Sequence, residues 1–321
     1  MTAETGVAVA MMPARSALMP QRGGFLSDGP HPFTHSLSPY VGCGFGRSAC
    51  GRFCYARWLP AWQVRADGTA WGERVWVKQG LDRVLADELG QMSPDRRAHL
   101  RIFLSPATDP YQPLEARWRV TRRLLEVFAA VAEPDLLVVQ TRSPLARRDL
   151  DLLSAIPYAL LSITLETDAP QWMRASGGGP PVAARLALIR QACRAGIATQ
   201  VAVSPCLPYT PAFAAQLADL GVLRVVVDTV VDGDGSGGRR TARAPFGREA
   251  GWNRRDHALA LYEALRRRGV PVGWSAAGFA GVAPGVVRVL NGMPAAPAAP
   301  LPPPSPAHTP VDPKSGSAVP D

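Results

Sequence analysis

Residues 136–166 read LLVVQTRSPLARRDLDLLSAIPYALLSITLE, and their pattern decides the fold. LLVVQ at 136–140 is an unbroken apolar run, as expected of a strand buried on both faces. Ser143 then stands at an N-cap position, with Pro144 as first helical residue. After that helix comes a second apolar strand, YALLSITLE at 158–166.

The same strand–helix unit repeats in both directions. Upstream, RVWVK at 74–78 alternates like a strand, and 81–89 has helical spacing. HLRIFL at 99–104 is another strand, and a long amphipathic helix is predicted over 114–132, ended by Pro134. Between them 105–113 (SPATDPYQP) is irregular, interrupted by prolines. Downstream, helices over 182–195, 210–220 and 254–268 each end at a glycine: Gly196, Gly221 and Gly269. Strands are expected at 197–204, 222–227 and 270–275. This alternation predicts the α/β class, a parallel sheet covered by helices.

The ends of the chain lack the pattern. Residues 1–22 are expected to form a loose, disordered arm, and 296–321, rich in proline and alanine, a disordered tail that cannot repay its ordering entropy. The folded unit is placed at 23–285. Of the 321 residues, 47% are hydrophobic, enough for a large core. Lys and Arg outnumber Asp and Glu by 35 to 26, a net charge of +9. That balance suits nucleic acid as a partner and equally suits a general bias toward arginine. The basic loop at 232–248 is expected to be a solvated segment. No apolar run approaches a membrane span, and no basic region precedes the first apolar stretch, so no signal peptide or membrane is expected.

Three of the five cysteines crowd into 38–58, SPYVGCGFGRSACGRFCYARW. Cys43, Cys50 and Cys54 are too close together for a disulfide framework. Their glycine-rich setting allows a tight loop, and three thiolates are what an iron–sulfur cluster or a zinc ion takes. Free thiols and a labile cluster both fit a reducing cytoplasm. His31 and His35, upstream, are possible further ligands, though loop histidines are usually solvated. Polar groups also follow several strands: Ser105 to Asp109, Thr141 to Ser143, Ser162 to Glu166 and Ser204 to Cys206. In α/β barrels such strand ends gather functional groups. Cys193 lies mid-helix and reads as core.

These residues resemble the radical S-adenosylmethionine (AdoMet) superfamily, in the branch similar to spore photoproduct lyase. The matching pieces are PYVGC at 39–43, CYAR at 54–57, VWVK at 75–78, ATDPYQPLE at 107–115 and RRLLEV at 122–127. TRSPLARRDLDLL at 141–153, LSITLET at 161–167 and AGIATQVAVSPCLP at 195–208 complete them. The resemblance implies a partial (β/α)6 barrel of the TIM type with a [4Fe–4S] cluster on Cys43, Cys50 and Cys54. AdoMet would bind the open iron and be cleaved reductively, giving a 5′-deoxyadenosyl radical that abstracts hydrogen from a substrate. Phe53 matches the aromatic that packs on adenine. Ser105, Thr108 and Asp109 match contacts to the methionyl part, and Arg142 stands where relatives often carry Lys. Ser162 and Thr164 match the ribose-contacting position. A flavodoxin- or ferredoxin-type reductase is the implied electron donor.

Two departures stand out. The family spacing is C-x3-C-x2-C, whereas this chain has C-x6-C-x3-C. True spore photoproduct lyases also carry a hydrogen-donating cysteine near the ATDP stretch, and this chain has none there. Cys206 is the leftover thiol considered for that role. Two other readings stay open: a zinc-stabilised nucleic-acid-binding protein using the three cysteines with His31 or His35, and a barrel that has lost its chemistry.

Overall fold

The computed structural model describes residues 6–175, 177–233, 239 and 254–292. Two sheets organise it. The smaller joins β1 (Ala8–Pro13), β4 (Tyr40–Val41) and β5 (Arg74–Gln79) in the order β1-β5-β4. The larger has eight strands: β2 (Met19–Pro20), β3 (His35–Leu37), β6 (Arg101–Leu104), β7 (Leu136–Thr141), β8 (Ala159–Thr164), β9 (Thr199–Val203), β10 (Arg224–Val227) and β11 (Val272–Trp274). From β3 through β6, β7, β8, β9 and β10 to β11 every pairing is parallel, and β2 adds antiparallel to β3. The α/β expectation holds. The sheet is open, with β2 and β11 as its edges among the described residues.

Helices connect the parallel strands, as crossovers must. The main ones are Leu81–Gly90, Val120–Ala129, Val182–Arg194, Phe213–Ala218 and Arg255–Arg267. Their apolar stripes cover one face of the large sheet, where Ile102, Leu104, Leu137, Val139, Leu161, Ile163, Val201 and Val225 form the main core with them. The alternate residues Phe103, Leu136, Val138, Leu160, Ala202 and Val226 point to the other face. That face is covered by Leu26 and Phe33 from the N-terminal side and by Phe279, Val282 and Val287 from the C-terminal segment.

Several sequence expectations change here. The supposed loose arm carries β1, which pairs with β5 over six residues, and β2. Its short apolar stretch, AVAMMP, becomes a strand because the exposed edge of β5 offers it a partner. His35–Leu37 is the first parallel strand of the large sheet, and Tyr40–Val41, just after it, pairs with β5 in the small sheet. The helix predicted over 114–132 breaks at Arg119, whose φ of 49° separates Glu115–Trp118 from Val120–Ala129. Glu115, fully buried, accepts the Thr121 N–H at 3.0 Å and the Tyr40 hydroxyl, contacts that hold the break. The tail at 296–321 and most of the basic loop at 232–248 lie outside the described residues. No helix among the described residues is long and apolar enough to cross a membrane.

Candidate active site

On the face opposite the main core, the strands change character toward their carboxyl ends. On β7, Leu136 and Val138 give way to Gln140 and then Arg142, and on β8 Leu160 gives way to Ser162, Thr164 and Glu166. Phe103 of β6 is followed by Ser105, and Val226 of β10 by Asp228. Apolar residues therefore fill the lower part of this face, and polar ones line a cavity of about 530 Å³ above them. Ser105, Gln140, Arg142, Thr164, Ser204 and Asp228 bring five strand ends to one space.

The cysteine loop forms the opposite wall. Cys43 follows β4, a tight turn covers Gly44–Arg47, and Cys50 lies in the short helix Ala49–Phe53. Cys54 ends that helix, one turn beyond Cys50, so the two thiols share a side and hydrogen-bond to each other. The turn folds back on the helix so closely that a Cβ on Gly51 would lie 1.7 Å from the Gly46 carbonyl oxygen. Gly42, with φ of 84°, lies against the Arg74 carbonyl in the same way. The longer spacing is thus taken up by a turn and a helix, and Cys43, Cys50, Phe53 and Cys54 all line the cavity.

Charges are arranged in pairs beside the thiols. Glu166 is fully buried between Arg142 and Arg185, paired to both, and Arg185 also donates to the Thr164 carbonyl at 2.8 Å. Burial alone would raise the Glu166 carboxyl, but the two guanidinium groups overturn that and hold it at about 2. Burial likewise opposes the charge of Arg142, yet Cys50, Glu166 and Asp109 around it keep it firmly protonated. The hydrogen bond from Cys54 is the chief influence lowering Cys50, with Arg142 acting in the same direction against burial. For Cys43 burial, with the Asp109 and Cys50 charges, outweighs the backbone hydrogen bonds from Phe45 and Asp109 and pushes it up to about 12.

Asp109 is buried and saturated. It accepts from the Thr141 hydroxyl at 2.6 Å, the Arg142 N–H at 2.9 Å and the Tyr111 N–H at 2.8 Å. Burial raises its carboxyl, and these bonds partly offset the effect. Thr108 donates to the Gly42 carbonyl at 2.7 Å, and Gln112 accepts the Gly44 N–H at 2.6 Å. These two residues tie the loop after β6 to the cysteine loop. By contrast, the Ser105 hydroxyl and the Gln140 carbonyl oxygen are buried at the cavity with no partner among the described residues. Such groups are costly unless a ligand completes them.

Of the residues singled out from sequence, the cavity gathers Cys43, Cys50, Cys54, Phe53, Ser105, Thr108, Asp109, Arg142 and Thr164. Two stand elsewhere. Ser162 faces the same side one step below Thr164, and its hydroxyl accepts from Gln200 Nε2 at 2.9 Å. Cys206 is 1% exposed within the main core, packed on the face away from the cavity. Cys193 packs at the edge of that core. Neither His31 nor His35 lines the cavity, and His35, the first residue of β3, bonds to the hydroxyl of the preceding Thr34. Among the described residues no three His, Cys, Asp or Glu groups stand close enough to hold a single metal ion. Residues not anticipated are Gln140, Asp228, Tyr55 and Arg185. Gln140 and Arg142 share a face by the two-residue strand period, which was the available signal.

No family model matches the chain. An uncharacterized protein of Mycobacterium tuberculosis strain H37Rv is 33% identical over 182 residues, 55% of this chain and 51% of that protein. An uncharacterized protein of Methanocaldococcus jannaschii is 28% identical over 131 residues, covering 40% of this chain and 43% of that protein. The chain thus spans about half the length of the curated relatives it matches. Among solved structures, a mutant spore photoproduct lyase superposes with a TM-score of 0.56 at 14% identity, over 84% of this chain and 83% of that one. Spore photoproduct lyase complexed with dinucleoside spore photoproduct gives 0.54 at 14% identity, over 84% and 83%. A mutant with bound AdoMet and the same dinucleoside gives 0.52 at 15% identity, over 84% and 82%. The chain shares their fold.

Proposed function

We propose that this chain is a radical AdoMet enzyme, with β3 and β6 to β10 as its partial (β/α)6 barrel. One observation carries the reading: three thiols of a single loop and the ends of five parallel strands converge on one cavity. The donor set suits a [4Fe–4S] cluster, because three cysteine thiols of one loop line a shared space. A zinc site on the same loop lacks its histidine, since neither candidate reaches the cavity. Spore photoproduct lyase has been solved with AdoMet bound, and the shared fold supports the same ligand here.

Cys43, Cys50 and Cys54 would hold the cluster. With AdoMet, such a cluster supplies one-electron cleavage of the sulfonium, yielding a carbon radical able to take hydrogen from a substrate. The chain's own residues supply position. Phe53 offers an apolar ring for the adenine. The unpartnered Ser105 hydroxyl is free to donate to the methionyl carboxylate, and Gln140 and Thr164, bonded to each other at 2.9 Å, are placed for ribose hydroxyls. Arg142 faces the cavity as a fixed cation for a carboxylate. Asp109 and Thr108 have spent their polar atoms on protein partners, so they position Arg142 and the cysteine loop. Phe25, Trp58, Trp71 and Phe279 add apolar surface to the lining, which would help to keep water from a bound ligand. A flavodoxin- or ferredoxin-type donor and a cytoplasmic setting follow from the same reading.

The test is anaerobic purification, reconstitution with iron and sulfide, and low-temperature EPR of the reduced protein with and without AdoMet. A [4Fe–4S] signal that changes on AdoMet addition, with 5′-deoxyadenosine formed, is the expected result. Stoichiometric zinc, or no cluster, would overturn the reading.

A further inference from the structure

A second cavity of about 730 Å³ lies between the two sheets, behind the wall that Ala56, Leu59 and Pro106 present to the first. Nothing in the radical chemistry uses it. Its floor is apolar, with Met12 of β1, Leu59 and Trp62 prominent. Three cations line it, Arg15, Arg65 and Lys78, and no Asp or Glu does. Lys78 is the telling one. In β5, Val75 and Val77 enter the core, so Trp76 and Lys78 face the other way, toward Trp62. The Lys78 ammonium forms no hydrogen bond or ion pair among the described residues, although burial, and then the Arg65 charge, draw it down to about 8. A half-buried cation beside a second cation opposes folding unless something compensates it. The Ser38 hydroxyl, also lining the cavity, has no partner among the described residues either.

We propose that this cavity binds a small amphipathic anion, its phosphate or carboxylate oxygens meeting Lys78, Arg15 and Arg65 and its apolar body lying along Met12, Leu59 and Trp62. The size is that of a small-molecule site, and the mixture of apolar walls with few convergent polar groups is the usual one. Three cations without an acid select against neutral and cationic ligands. An apolar floor selects against a bare inorganic ion. The site needs neither cluster nor AdoMet, so its test stands apart from that of the radical reading.

The test is calorimetric titration of the full chain with hexyl phosphate, hexanoate, hexanol and inorganic phosphate. At least one of the two amphipathic anions should bind saturably, one per chain, with hexanol and inorganic phosphate at least about tenfold weaker. The tighter of the two anions identifies the headgroup as phosphate ester or carboxylate. Lys78→Met should weaken that ligand by about tenfold or more, and Lys78→Arg should restore most of the affinity. Arg15→Gln, at an exposed residue, should weaken it severalfold without risk to the fold. Equal affinity in Lys78→Met and Arg15→Gln, hexanol binding as tightly as the anions, or no saturable binding of either anion would overturn the proposal.

Discussion

Glu166 illustrates how single residues set the electrostatics of the cavity floor. Its folded value of about 2 lies below the ordinary 4.5, so its stabilising contribution is complete above pH 4.5 and is lost as pH falls through about 2. Glu166→Gln leaves Arg142 and Arg185 without their anion and should cost about 3 kcal/mol at neutral pH. Urea denaturation between pH 2 and 7 should show wild type losing that increment on acidification and the variant lacking it. Ser105 carries the opposite signature. Its φ of 71° is strained for a side-chain-bearing residue, and its buried hydroxyl has no partner among the described residues. Ser105→Gly should therefore stabilise the free protein by about 1 kcal/mol in thermal unfolding while weakening AdoMet binding. A variant that loses stability would mean the hydroxyl is satisfied without ligand.

At the scale of elements, the cysteine loop depends on glycine contacts remote from the main core. Gly51→Ala places a methyl where the Gly46 carbonyl already stands, so the Ala49–Phe53 helix must lift from its turn. The expected outcome is a folded protein, with near-native circular dichroism, that retains far less iron after reconstitution than wild type. Equal iron content would show that the loop geometry is dispensable. The loop's donor set was legible in the sequence, because three thiols among glycines in so few residues suit little else. Its shape was not, since nothing local indicates that Gly46 and Gly51 touch. The break at Arg119 was hidden for a similar reason: helical spacing continues through it, and only buried Glu115, bonded to Thr121 and Tyr40, enforces it.

Across the whole molecule, the C-terminal segment stitches the base of the large sheet. Arg288 donates to the carbonyls of Ala132 and Pro134, the latter at 2.9 Å. Asn291 accepts the Ala198 N–H at 2.8 Å and donates to the carbonyls of Pro157 and Ala159. Arg288→Met would leave buried carbonyls unpaired and should lower stability by about 2 kcal/mol, read as a lower midpoint in urea. An unchanged midpoint would mean the segment is not part of the cooperative fold. The repeated strand–helix pattern, the apolar strands and the glycine stops determined the α/β class and most element positions, because these follow from local periodicity and backbone sterics. The three cysteines and most cavity residues were legible too, through their type and their place at strand ends. Tertiary structure alone decided that β1 joins β5, that Cys206 turns into the core, and that Ser162 lies one step beneath Thr164. Each of these depends on which face or edge a distant segment presents, and a strand edge or a side-chain layer exists only once the neighbouring strand has paired.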